Sequence, residues 1–180
     1  MDEPALVPMG SRSQINLRAR GDAVERAAKW LSIPALTARN RFAATRAGDC
    51  YWLGPEEWLV VGPPSLRAET LEALERAVGS DGAAVDLSAS RVLFELKGPK
   101  ARDVLASCCA LDLHPRAFGT GQCAQTLVAK ARVLLSQTDE APTYRIFVRP
   151  SLVSYVVSWL SDAIQGLRVE SPASANTLEK

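Results

Sequence analysis

Histidine occurs once in this 180-residue chain, at position 114, and cysteine four times, at 50, 108, 109 and 123. One imidazole leaves a Ser-His-Asp arrangement a single possible base, and a zinc site would need His114 together with scattered thiols. No CxxC pair is present, and adjacent Cys108 and Cys109 make a poor metal pair or disulfide, so reduced and mostly buried thiols are expected. The pattern assigns no role to Cys108, Cys109 or Cys123. Charge of one sign is also lacking: 21 basic against 20 acidic residues leave a formal net charge of +1. Nothing in that balance favours nucleic acid or an acidic membrane surface as a partner. No apolar run approaches the ~20 residues needed to span a bilayer. The N-terminal MDEPALVPMGSR lacks the apolar core of a secretory signal, so a cytoplasmic protein is the expectation. There is no GxGxxG. Gly119-Thr120-Gly121-Gln122 has neither the strand-helix setting nor the lysine of a phosphate loop. No strand carries the basic-aromatic stripe of an RNA-reading sheet.

What is present is ordinary globular composition, 47% hydrophobic and 23% charged, enough for one domain or two small ones sharing a core. Ile15, Leu17 and Ala19 alternate with polar neighbours as in a strand. Asp22 and Glu25 read as a helix-start box, followed by a helical face of Val24, Ala27, Ala28 and Leu31 that Pro34 ends. Strands follow at Arg41–Arg46 and Tyr51–Val61, the latter broken at Gly54-Pro55. A helix faced by Leu71, Leu74 and Val78 comes next, and then a short strand at Ala83–Leu87. The order then repeats. Val92, Phe94 and Leu96 predict a strand, Pro99 opens a helix, and Leu127 to Leu135 read as one long strand. Tyr144 to Val148 predict another strand. Ser151 caps a helix with Leu152, Tyr155, Val156, Trp159, Leu160 and Ala163 inward, Gly166 ends it, and Leu167–Glu170 form a last edge strand.

The predicted fold class is therefore α+β, with two tandem ferredoxin-like (β-α-β-β-α-β) halves packed together. The repeat is legible in element order and not in residues. Its expected bounds are a flexible N-terminus at 1–13, a first half at 14–88, a second half at 89–170 and a flexible C-terminus at 171–180. Two open sheets have edges to hide, which favours docking on each other or on a partner.

Candidate functional residues are few. Asp86, Ser88, Ser90 and Arg91 lie between two strands, where Asp and Ser bond turn amides and Arg91 can pair with Asp86. His114, Pro115, Arg116 and Phe118 occupy a loop. Trp52 and Trp58 flank a turn, suiting either core packing or an interface.

The segments YWLGPEEWLVVGP, VDLSASRVLFELKGPKARDVL, LDLHPRAFGTGQCAQTLVAKARVLL and YRIFVRPSLVSYVVSWLSDA resemble the gamma subunit family of heterotetrameric sarcosine oxidases. The resemblance runs from about Asp49 to Ala163. The Asp-Leu-Ser to Gly-Pro-Lys-Ala run is also similar, more loosely, to the folate-binding aminomethyltransferases of glycine cleavage. The resemblance implies a non-catalytic structural subunit. It implies alpha, beta and delta partners, chiefly the large alpha subunit. The assembled enzyme would demethylate sarcosine to glycine, giving hydrogen peroxide and 5,10-methylenetetrahydrofolate or formaldehyde. FAD, FMN, NAD, tetrahydrofolate and zinc would sit in other subunits, with no catalytic, cofactor-binding or metal residue in this chain. The alternatives are a stand-alone folate-binding one-carbon protein, or the same subunit in an oxidase for a related N-methyl amine.

Overall fold

The computed structural model describes residues 3–36 and 38–169, and the tail expected at 171–180 lies outside them. Its strands are β1 (Ala5–Pro8), β2 (Ser13–Ala19), β3 (Phe42–Thr45), β4 (Gly48–Gly54), β5 (Glu57–Gly62), β6 (Gly82–Asp86), β7 (Val92–Lys97), β8 (Cys123–Val128), β9 (Ala131–Gln137) and β10 (Tyr144–Val148). Its helices are α1 (Asp22–Leu31), α2 (Arg67–Val78), α3 (Ala101–Ala106) and α4 (Val153–Val169). The strands form two antiparallel five-stranded sheets, ordered β3-β4-β5-β2-β6 and β8-β9-β10-β7-β1. Within the first, β2, β4, β5 and β6 with α1 and α2 make the ferredoxin-like unit, and β3 is an added edge. The second matches it strand for strand, with one exchange: its fourth strand comes from the other end of the chain.

That exchange corrects two expectations. The segment 1–13, expected to be flexible, carries β1, which pairs with β7 from Ala5↔Lys97 to Pro8↔Phe94. The edge strand expected at Leu167–Glu170 is not formed over the described residues, because α4 continues through Gly166 to Val169. Nothing lies near a Cβ added at Gly166, so the glycine sits open on the helix surface rather than in a terminating turn. Gly98 turns the chain beside β1 with φ 113°, and a side chain there would press on the backbone of Glu3 and Pro4.

Each sheet carries helices on one face and meets the other sheet on its second face. Leu96, Val104, Leu105, Leu135, Ile146, Val156 and Leu160, all fully buried, belong to the core under α3 and α4. A matching core joins β2, β4, β5 and β6 to α1 and α2 through Ile15, Leu17, Leu31, Cys50, Val60 and Leu74. Between the sheets lie Tyr51, Leu53, Leu59, Val61, Leu93, Cys123, Leu134 and Phe147. Central strands are therefore buried on both faces, and Leu93 and Phe94, neighbours in sequence, are 3% and 7% exposed. The sheets also touch along their edges. The Cys123 amide donates to the Asn40 carbonyl at 2.9 Å and the Phe42 amide to the Gly121 carbonyl at 3.0 Å.

Further expectations change. The long strand through Leu127 and Leu135 is a hairpin, turning at Ala129-Lys130 with Ala129 at φ 49°. That conformation is one that Gly or Asn usually adopts, so the sequence carries no turn signal there. The amides of this turn are held from outside, Ala129 by the Cys108 carbonyl at 2.6 Å and Lys130 by the Tyr155 hydroxyl at 3.3 Å. On α4, Val156, Leu160 and Ile164 face the core, whereas Tyr155 and Trp159, expected inward, are 36% and 47% exposed. They stand one residue, about 100° of helix, round from the buried stripe. Asp22 and Glu25 form no side-chain cap: Gly21 precedes α1, and the two acids lie in its first turn, where they favour the dipole. Ser151 is likewise no cap. Pro150-Ser151-Leu152 forms a 3-10 turn leading into α4, as Pro64-Ser65-Leu66 does into α2. The repeat thus survives in residues as well as in element order.

Candidate functional site

The turn from Asp86 to Arg91 joins β6 to β7, and so one sheet to the other. The Ser88 amide and hydroxyl both donate to Asp86 Oδ1, at 2.9 and 2.5 Å. Ser88 Oγ accepts the Gln14 amide at 3.1 Å, the Leu87 amide donates to the Gln14 carbonyl at 2.7 Å, and Gln14 Nε2 donates to the Arg91 carbonyl at 2.7 Å. Gln14 on β2 is 1% exposed, and its Oε1 has no protein partner. Asp86, Ser88 and Arg91 are brought together as a strapped turn. The hydrogen bonds from the Ser88 side chain and backbone hold the Asp86 carboxyl below its ordinary range, and Arg67 adds to this. Arg67, at 3.8 Å, replaces Arg91 as the ion-pair partner expected for Asp86. The Arg91 guanidinium instead bonds Ser90 Oγ at 3.4 Å. Burial lowers its pKa, and Glu57 acts in the opposite direction.

Arg91 stands between two open clefts. One, of about 580 Å³, is lined by Arg12, Gln14, Arg67, Ser88 and Arg91. The other, of about 470 Å³, is lined by Arg91, Arg132, Arg149, Leu127 and Phe147 among others. Guanidiniums and amides of this kind can hold an anion or a carboxylate, and no histidine is among the residues lining either cleft.

A polar cluster that the sequence did not single out ties the halves together. Arg145 on β10 donates to Asp49 Oδ2 at 2.5 Å and to the Tyr51 hydroxyl at 3.0 Å, both on β4. Tyr51 also stacks on Phe42 and meets Phe147 edge-on. Burial pushes the Tyr51 phenol up to about 12. Burial works against the Arg145 charge, and Tyr51 and Asp49 together outweigh it, so this guanidinium is held more firmly protonated than usual. A signal did exist, in a single charged residue on each of two otherwise largely apolar strands, Asp49 on β4 and Arg145 on β10.

His114 is elsewhere, in an exposed loop. Its amide donates to Asp112 Oδ1 at 3.0 Å, and its Nδ1 accepts the Arg116 amide at 3.3 Å. Pro115 and Arg116 are exposed, with Arg116 3.8 Å from Asp112, while Phe118 is 4% exposed and anchors the loop in the core. Trp52 and Trp58 face each other across the β4–β5 hairpin, and both pack on the core under α1 and α2. None of the four cysteines forms a disulfide, and burial pushes Cys108 and Cys123 up to about 11, which makes them poor nucleophiles. Among the described residues no three His, Cys, Asp or Glu side chains are grouped to hold a metal, and no helix is long and apolar enough to cross a membrane.

Comparison with known proteins draws these features together. The model of the sarcosine oxidase, gamma subunit family matches residues 19–166. The sarcosine oxidase subunit gamma of Corynebacterium sp. (strain P-1) is 42% identical over 123 residues, 68% of this chain and 59% of that relative. This chain thus spans less than two thirds of that relative's length. A chain of the heterotetrameric sarcosine oxidase from Corynebacterium sp. U-96, solved with pyrrole 2-carboxylate, superposes with a TM-score of 0.83 at 31% identity, over 96% of this chain and 88% of that one. The glycine cleavage aminomethyltransferase T from Bartonella henselae shares the fold, with a TM-score of 0.68 at 18% identity over 96% of this chain and 52% of that one. The family match runs from the end of β2 into α4, taking in the turn from Asp86 to Arg91 and the loop at His114, and this chain belongs to the sarcosine oxidase gamma subunit family.

Proposed function

We propose that this chain is the gamma subunit of a heterotetrameric sarcosine oxidase and that it contributes shape and contact area rather than reacting groups. The single observation that carries the reading is the superposition of 96% of the chain on one chain of a heterotetrameric sarcosine oxidase. The enzyme would demethylate sarcosine oxidatively to glycine, with hydrogen peroxide and either 5,10-methylenetetrahydrofolate or formaldehyde as products. Its partners are alpha, beta and delta subunits, chiefly the large alpha subunit, in the cytoplasm. FAD, FMN, NAD, tetrahydrofolate and zinc belong to those partners. Asp86, Ser88, Ser90 and Arg91 shape the junction between the sheets, and the loop of His114, Pro115, Arg116 and Phe118 lies at a subunit contact.

Two properties of the chain support this role. Burial raises the pKa of Cys108 and Cys123, which weakens both as nucleophiles, and the one histidine spends its Nδ1 on the Arg116 amide. Its exposed surface keeps Trp159, Tyr155 and Leu127, large apolar side chains of the kind that protein interfaces cover. Co-expression with candidate alpha, beta and delta subunits, followed by native mass measurement, tests the reading. A complex containing this chain with sarcosine-dependent peroxide release is the expected result. A chain that remains alone while the others assemble, or one that oxidises sarcosine by itself, would refute it.

A further inference from the structure

The apolar layer between the sheets ends in a row of cations. Leu93, Phe147 and Leu134 lie side by side across β7, β10 and β9, each at most 3% exposed under the opposing sheet. One step beyond the last paired residues, Val148↔Val92 and Val148↔Val133, come Arg149, Arg91 and Arg132, which line one cleft together, and Leu127 pairs with Arg132 across the hairpin. All four line the cleft of about 470 Å³, with Leu134 and Phe147 at its apolar floor.

Like charges facing one another across strands repel. Six arginines elsewhere (Arg18, Arg26, Arg46, Arg67, Arg116 and Arg145) have a carboxylate within 4.0 Å. Among the described residues no such ion pair is formed by Arg91, Arg132 or Arg149, although Glu57 acts on Arg91 from a greater distance. A row of three cations beside exposed Leu127 is unfavourable in isolation and becomes favourable once carboxylates cover it.

We propose that this row is a docking surface for an acidic segment of a partner subunit, one that lays carboxylates over Arg132 and Arg149 and seats an apolar side chain against Leu127. The inference rests on the reading of this chain as a subunit. A polypeptide is favoured over a small acid by extent. Three adjacent strands span about 10 Å, and the cleft is open along that length, so a small dicarboxylate would engage two guanidiniums at most. Arginine is also enriched at protein interfaces, where its fork binds carboxylates with two parallel hydrogen bonds.

The test compares co-expressed complexes containing the wild-type chain, R132E/R149E, and R76E, the last a control on α2 at a residue that lines neither arginine cleft. Wild type and R76E are expected to assemble alike, and charge reversal to weaken association by about a hundredfold. Residues 127–134 are expected to exchange amide hydrogens more slowly in the complex than in the free chain. Should charge reversal prevent folding, R132Q/R149Q with a wild-type urea midpoint is expected to weaken association by about tenfold. A wild-type chain that joins no complex overturns the subunit reading and this proposal with it. A folded double variant that assembles like wild type overturns this proposal alone. Protection of 127–134 by succinate and not by partner subunits also overturns it, and assigns the row to a free dicarboxylate.

Discussion

Asp49 and Arg145 come from positions 96 residues apart and meet where the sheets touch, each side chain keeping 24% of its exposure. Removing either partner leaves a half-buried charge facing apolar neighbours. Water still reaches the pair, so the cost is discounted from the range for a fully buried bridge to about 2 kcal/mol. Arg145→Ala and Asp49→Ala are each expected to lower the urea midpoint accordingly at unchanged m, and the double variant to lose less than the sum. Additive losses would show that the two do not interact. Tyr51 adds a pH dependence. Its phenol ionises at about 12 in the folded chain, against about 10 in an unfolded one. Above pH 10 the unfolded chain releases the proton first. The stabilisation is therefore complete below pH 10 and is lost as pH rises toward 12, about 3 kcal/mol over that window. Tyr51→Phe is expected to flatten the fall in stability between pH 10 and 12. It will not abolish it, because burial also raises Tyr144. An unchanged slope in Tyr51→Phe would contradict the assignment.

Elements differ in what reached the sequence. Alternation in Ile15–Ala19 and Tyr144–Val148 located β2 and β10, and Gly54-Pro55 marked the turn of the β4–β5 hairpin. The β8–β9 turn was invisible because Ala129 adopts a left-handed conformation with no Gly or Asn to announce it, and outside groups rather than local chemistry hold it there. In α4 the apolar residues exceed what one face can bury, so hydrophobicity alone could not separate Val156 and Leu160 from Tyr155 and Trp159. The strapped turn was legible as Asp and Ser at a junction. The arginine row was not, since it exists only once three strands are in register. Substitutions separate these cases. Phe147→Ala, emptying a 1%-exposed site between the sheets, is expected to cost about 3–4 kcal/mol in urea unfolding. Trp159→Ala, at a 47%-exposed site, is expected to change stability by less than about 0.5 kcal/mol. If the two were equally damaging, α4 would have to be rotated from the orientation described.

For the whole molecule, the two sheets are not independent halves. The first strand of the chain completes the second sheet, and the Gln14 amide group and the Arg145 guanidinium cross between them. Unfolding is expected to be a single cooperative transition, seen as coincident fluorescence and circular dichroism curves. Deleting residues 1–9 removes β1 and leaves β7 as a bare edge. That deletion is expected to destabilise the sheet furthest from it in sequence, lowering amide protection in β7 and β10 before β4 and β5, and to promote aggregation. Equal loss of protection in both sheets would show that β1 acts globally rather than as a local edge.

β1 also dictates an order of events during synthesis. Residues 5–8 leave the ribosome long before 94–97, to which they bond. The nascent N-terminus must wait, unpaired, while the first sheet closes, and any tag fused ahead of it will be carried onto the rim of the second sheet. Purification handles placed at that end should therefore disturb a surface built mainly from the later part of the chain.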